Sequence, residues 1–386
     1  MKKWSIALVL LFCGMCLFAQ SLFDLVETGT PEQVQAAIRA GAKLDDRDEL
    51  FGMTPLMRAA QYNENPAVIT TLLNAGAKLD DRDEDGVTPL ILAASFNKNP
   101  EVITTLLNAG AKLDDRDELF GRTALMWAAS FNENPAVITT LLNAGAKLDD
   151  RAKDGMTPLM WAASFNENPD VITTLLNAGA KLDDRDEDGE TPFMHAASFN
   201  ENPAVITTLL NAGAKLDDRD EDGETPFMHA ATFNKNPAVI TTLLNAGAKL
   251  DDRDEDGETP FMHAASFNEN PDVITTLLNA GAKLDDRDEY GETPFMHAAS
   301  FNKNPEVITT LLNAGAKLDD RDTIGMTPLM RAAKYNENPE VITTLLNAGA
   351  DAKAKSNEGK TAFDYAQNNP KIKGTKAYWD LNNARF

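Results

Sequence analysis

The chain has 386 residues, with 36 Lys and Arg against 60 Asp and Glu and a formal charge of −24 at pH 7. So acidic a balance repels nucleic-acid phosphates and anionic membranes, and it either favours a basic partner or simply keeps an elongated chain soluble by self-repulsion. A length that ordinarily suggests two or three compact domains does not do so here, because the sequence repeats itself and a repeat array forms one elongated domain.

The chain opens on an export signal. Lys2 and Lys3 precede an apolar run from Ile6 to Phe18, and Leu17-Phe18-Ala19 before Gln20 is an acceptable small-residue cleavage site. This predicts a signal peptide over 1–19, cleaved after Ala19, and a secreted or periplasmic protein with no membrane insertion after cleavage. The run is shorter than the roughly 20 residues of a membrane span, so an uncleaved anchor ranks lower. Lipid attachment at Cys13 or Cys16 ranks lower too, because Phe12 and Met15 are bulky. Both cysteines fall inside the signal, so the mature chain is expected to have no disulfide, thiolate metal site or cysteine nucleophile. Loss of Lys2 and Lys3 takes the charge to 34 − 60 = −26.

Residues 20–51 read as a capping repeat. Leu22, Phe23 and Val26 form one inner face, and Val34, Ala37 and Ile38 form another. Glu27, Glu32, Gln33, Gln35 and Arg39 keep the outer side polar, as the end of a stack requires.

Residues 52–355 are nine copies of one unit. Its threonine falls at Thr54, Thr88, Thr123, Thr157, Thr191, Thr225, Thr259, Thr293 and Thr327, a step of 34 except for the 35 between Thr88 and Thr123. A fixed period of this size marks a repeat architecture. In the copy from Thr225 to Glu258, Thr225-Pro226 caps and starts a helix. Phe227, Ala230 and Ala231 then form its apolar stripe. Asn236-Pro237 starts a second helix that buries Val239, Ile240, Leu243 and Leu244, and Gly247 ends it with a left-handed cap. The run from Asp251 to Asp256, closed by Gly257, predicts an exposed acidic turn, or finger. Two fingers carry an extra residue, with Leu50-Phe51 and Leu119-Phe120 at their tips.

The pattern G-x-T-P-[LF]-x-x-A-A, then V-I-x-x-L-L-x-x-G-A, then an extended D-x-x-G segment resembles the ankyrin repeat, over roughly residues 21–386. The family usually has His after T-P-L, where this chain has Met57, Met160 and Met194, and N-x-N-P replaces the family's G-H turn. A tetratricopeptide array also has a 34-residue period, but it lacks the acidic finger and expects W-x-x-L-G-x-x-Y in its first helix. The resemblance implies an all-α solenoid of about eleven stacked helix pairs with acidic β-turn fingers, acting as a non-catalytic protein-interaction scaffold. Residues 356–386, with Thr361-Ala362-Phe363, Pro370 and a helix around Lys376 to Asn383, read as the C-terminal capping repeat, with Tyr378 and Trp379 covering the open end.

Two columns are candidate recognition residues. The first, two residues after Phe or Leu of T-P-[FL], reads Arg58, Leu92, Trp127, Trp161, His195, His229, His263, His297 and Arg331. On a helical wheel His229 lies about 200° from Phe227, which points the column out of the core, toward the side resembling the concave groove of ankyrin proteins. Its variation and its Trp and Arg content favour partner contact over drift on a permissive surface. The second column, four residues on, is aromatic and includes Phe131, Phe165, Phe199 and Phe233. Here a structural ladder that packs ring on ring is favoured over a binding strip.

Other chemistry finds less support. The four histidines occupy successive repeats, roughly 10 Å apart by helix packing, which is too far for one zinc ion, and no metal or cofactor is expected. A strip responsive to pH is the better reading of them. Asp218-x-Asp220-x-Asp222-Gly223 matches the start of an EF-hand loop, as do segments at Asp81, Asp184 and Asp252. The twelfth position, however, holds His229, Leu92, His195 and His263 instead of Glu, which leaves only weak calcium association. Catalysis is not expected, since His195 with Ser198 on a helix face has neither an oxyanion hole nor an enclosed pocket. The sequence therefore predicts an exported scaffold for a basic protein partner. The alternative is an acidic, calcium-responsive extracellular structural protein.

Overall fold

A computed structural model describes residues 21–385; the predicted signal peptide lies outside the described residues. They contain twenty-two α-helices in eleven antiparallel-reading pairs, the first Leu22–Thr28 with Pro31–Arg39 and the last Ala362–Ala366 with Lys376–Ala384. Nine full pairs lie between, from Pro55–Tyr62 with Pro66–Asn74 to Pro328–Tyr335 with Pro339–Asn347. A single β-bridge, Arg116 with Thr123, marks a finger base.

Local chemistry sets each boundary as the sequence predicts. In the pair Pro226–Phe233 and Pro237–Ala246, the Thr225 hydroxyl accepts from the Met228 N–H, and Asn236 Oδ1 accepts from the Ala238 N–H at 2.9 Å. Gly247 ends the second helix with φ 104°, the left-handed cap. Phe227, Ala230, Ala231, Val239, Ile240 and Leu243 are buried, while Leu244 is half-buried instead of fully inside. In the last pair Tyr378 packs against Phe363, ring centroids 4.8 Å apart, but Trp379 stays 54% exposed and does not close the end.

Contacts divide the chain into two units, one running to Ala162 with Asp170–Ala180, the other Ala163–Pro169 with Lys181 onward. Inside each, successive repeats are tied by polar ladders at both ends of the helices. In the first unit Asn97 Nδ2 donates to the carbonyls of Ala60 and Asn63, at 2.9 and 3.0 Å. In the second, Asn234 does the same to Ala197 and Asn200 and Asn268 to Ala231 and Asn234. These buried amides replace the shorter family turn. The finger bases carry a guanidinium ladder: Arg82 donates to the carbonyls of Gly86 and Arg116, and Arg219 to those of Gly223 and Arg253. The acidic fingers are therefore ordered and cross-linked, although their tips are exposed.

Candidate functional site

The variable column does not face solvent. His195, His229, His263, His297, Arg331, Leu92 and Trp161 are all buried, and Arg58 and Trp127 are half-buried. The helical wheel points these side chains out of the core, but the base of the preceding finger folds over them and covers them. In seven of the nine repeats the column residue is hydrogen-bonded to a finger Asp nine positions earlier, or ten in the longer fingers. His195, His229 and His263 place Nε2 at 2.7 Å from Oδ2 of Asp186, Asp220 and Asp254, and His297 lies 2.9 Å from Asp288. Arg58 Nε donates to Asp48, Trp127 Nε1 to Asp117 at 2.8 Å, and Arg331 Nε to Asp322 at 2.8 Å.

The pairing follows chemistry from copy to copy. Where the column holds Trp161, the finger position is Ala152, and both sit in an apolar cluster with Met126, Met156 and Met160. Tyr365 in the last repeat donates its hydroxyl to Ser356, at 3.0 Å. The column is therefore engaged within the fold, and most of its polar members can donate to the same finger carboxylate. The signal is readable within the chain, as Ala152 replaces Asp only opposite Trp161.

A third group completes the arrangement. Glu190 reaches His195 Nδ1 at 3.5 Å and His229 Nδ1 of the next repeat at 3.8 Å, and Glu224 lies 3.8 Å from His263 Nδ1. Burial alone would raise Asp186, Asp220, Asp254 and Asp288, but the imidazole partners and backbone N–H groups outweigh it and hold these carboxyls below their usual range. Burial pushes Glu190, Glu224 and Glu258 up, and the nearby histidines offset this only in part. Burial would lower His229 and His263, yet their Asp hydrogen bonds and the glutamate charges raise them. The spacing of the histidines by itself supplies no zinc site without other ligands. Each histidine instead gathers carboxylates, giving four sets with ligand atoms within 4.8 Å of one another, among them Asp186–Glu190–His195 and Glu190–Asp220–His229.

The aromatic column is where the surface opens. Phe131, Phe165, Phe199 and Phe233 are between 44% and 49% exposed. The expected ladder forms at Phe165–Phe199 and Phe199–Phe233, with centroids 6.3 and 5.9 Å apart, and at Phe96–Phe131 in the other unit, at 6.3 Å. The rings thus stack on their neighbours while staying half-exposed. Phe233 also lines a cavity of about 420 Å³ with His229 and the carboxylates of Asp188, Glu190, Asp220, Asp222 and Glu224. Apolar rings and acidic fingers meet there.

Of the longer fingers, Leu50, Phe51 and Leu119 project into solvent, while Phe120 leans back, its ring 6.4 Å from Trp161 and under the Arg122 guanidinium at 4.6 Å. The calcium-like spacing finds its middle carboxylate engaged on both oxygens: Asp220 Oδ1 accepts from the N–H groups of Asp222 and Glu224, and Oδ2 faces His229. Among the described residues no helix is long and apolar enough to cross a membrane.

The model of the family of ankyrin repeats, taken three copies at a time, matches residues 22–117, 95–186, 163–254, 228–322 and 297–373. No curated protein matches the sequence. Helix pairs stacked through buried Ala and Leu faces, left-handed glycine caps and fingers at a fixed step account for a match that runs almost from end to end, and the chain is a member of the ankyrin repeat family, whose repeats are generally non-catalytic modules that bind protein partners.

Proposed function

We propose that the protein is a non-catalytic scaffold, exported to a bacterial envelope, that binds a basic protein partner across the exposed aromatic column and the neighbouring acidic fingers. The single observation that carries this reading is the meeting of half-exposed Phe233, stacked on half-exposed Phe199, with the carboxylate-lined cavity at Asp188, Glu190, Asp222 and Glu224. Aromatic faces supply large contact area at low conformational cost, and carboxylates around them select cationic side chains. Buried Trp161, His195, His229, His263, His297 and Arg331 act in this reading as supports of the finger bases. Catalysis has no place in it, as the column pairs within the fold.

The reading is tested by titrating peptides of matched length carrying Arg and Leu, Gln and Leu, or Glu and Leu, at two salt concentrations. Binding confined to the basic peptide, weakened by salt and by Phe199→Ala with Phe233→Ala, supports it. Equal binding of all three, or an affinity untouched by the double substitution, removes the surface from the account.

A further inference from the structure

In the unit that includes Lys181 onward, one buried lone pair faces another acceptor. His195 Nε2 lies 2.7 Å from Asp186 Oδ2, and a carboxylate only accepts, so the ring proton belongs on Nε2. In the neutral ring Nδ1 is then an acceptor. It is buried, has no hydrogen-bond partner among the described residues, and points at Glu190 Oε2 at 3.5 Å. Two acceptors at that separation repel unless something positive lies between them. Two ligand atoms held at about 2.0–2.1 Å from one tetrahedral ion stand about 3.4 Å apart, close to the observed gap.

The chain itself shows which charge this position takes. Glu292 holds the position of Glu190 three repeats on, and there the Arg331 guanidinium of the next repeat lies against it and against Asp322, so this glutamate position takes a positive charge. We propose that His195 Nδ1 and Glu190 bind a divalent transition-metal ion of the zinc class, with Asp186 orienting the imidazole from its far side. A carboxylate holding the outer nitrogen of a ligating histidine fixes its tautomer and raises its basicity. One imidazole with carboxylate oxygens suits zinc and its neighbours, whereas calcium takes oxygen ligands alone. Glu190 is shared with the set Glu190–Asp220–His229, and Glu224–Asp254–His263 and Glu258–Asp288–His297 continue the register. At His229 the Ser198 hydroxyl already stands 3.3 Å from Nδ1, which marks His195 as the histidine with the uncommitted lone pair. The ion goes beyond the partner-binding role and does not depend on it.

The test is calorimetric titration of zinc chloride into the full, chelator-stripped protein at neutral pH, with calcium chloride as a second arm. Saturable zinc binding is expected, weakened at least about tenfold in His195→Gln and in the isosteric Glu190→Gln, and unchanged in His297→Gln at the tightest site. Cobalt(II) in place of zinc should give visible ligand-field absorption that both variants lose, a signal that a merely structural role would not produce. Absence of saturable zinc binding, an isotherm identical in His195→Gln and Glu190→Gln, or displacement of zinc by equimolar calcium overturns the site.

Discussion

The side-chain amide of Asn234 donates to the backbone carbonyl of Asn200, one repeat earlier, at 2.9 Å. The same nitrogen also bonds the Ala197 carbonyl, and Asn234 Oδ1 accepts from the Asn236 N–H that opens the second helix. One buried amide therefore satisfies two carbonyls of its neighbour and fixes its own loop. The N-x-N-P turn is the device that sets the approach of one repeat to the next.

Asn234→Ala leaves both carbonyls buried without that donor. A loss of about 2–3 kcal/mol is expected, from the usual 1–3 kcal/mol for an unsatisfied buried polar group. Urea unfolding checks this; a midpoint within error of the parent would show that water replaces the amide at no cost.

Asp117 predicts an acid-sensitive step. Burial would raise its carboxyl, but the N–H groups of Phe120 and Arg122, the Trp127 indole and the Arg122 charge outweigh it and hold it below the usual range. A group lowered on folding contributes stability above its unfolded value, about 3.9, and loses it as pH falls through the lower folded value. Asp117→Asn should therefore melt lower at neutral pH and show a shallower decline below about pH 4. Parallel melting curves against pH for the two proteins would refute the pairing.

Asp83 is the opposite case. Its column neighbour is Leu92, and burial raises the carboxyl despite the N–H groups of Val87 and Asp85. A group raised on folding contributes stability below its unfolded value and loses it as pH rises through the folded one. Asp83→Asn keeps the acceptor for those two N–H groups and removes the charge, so it should melt higher at neutral pH and match the parent in acid. Asp220→Asn, which strips His229 of its carboxylate, should melt lower at neutral pH. The contrast in sign, read by calorimetry, is the result that matters.

Trp161 is only 7% exposed, so Trp161→Ala should act on stability. A cost of about 3–5 kcal/mol is expected for removal of a buried aromatic. Thermal unfolding decides it, and an unchanged transition would return this residue to the surface.

Gly223 has φ 79°, and a Cβ there would stand 3.0 Å from Glu255 Cγ and 3.2 Å from its backbone nitrogen in the adjacent finger. Gly223→Ala should cost about 1–3 kcal/mol through the left-handed backbone and the contact together. Proteolysis at the fingers would report the loosening; equal protection in both proteins would argue against it.

The sequence by itself determined whatever a few consecutive residues decide. Thr225-Pro226 and Asn236-Pro237 start helices because cap and proline act within one turn. Gly247 ends one because only its own φ is needed, and Phe227, Ala230 and Val239 share buried faces because helix spacing puts them there. The period then assigns every copy the same pair. Only the tertiary structure decided which outward face stays outward. The wheel points His229 out of the core, yet Asp220 of its own finger and Glu190 of the preceding repeat close over it. Those contacts cross an irregular loop and a repeat boundary, where helical spacing carries no information. Phe199 escapes such cover because its ring partners are Phe165 and Phe233, rings that stack along the column and leave it half-exposed.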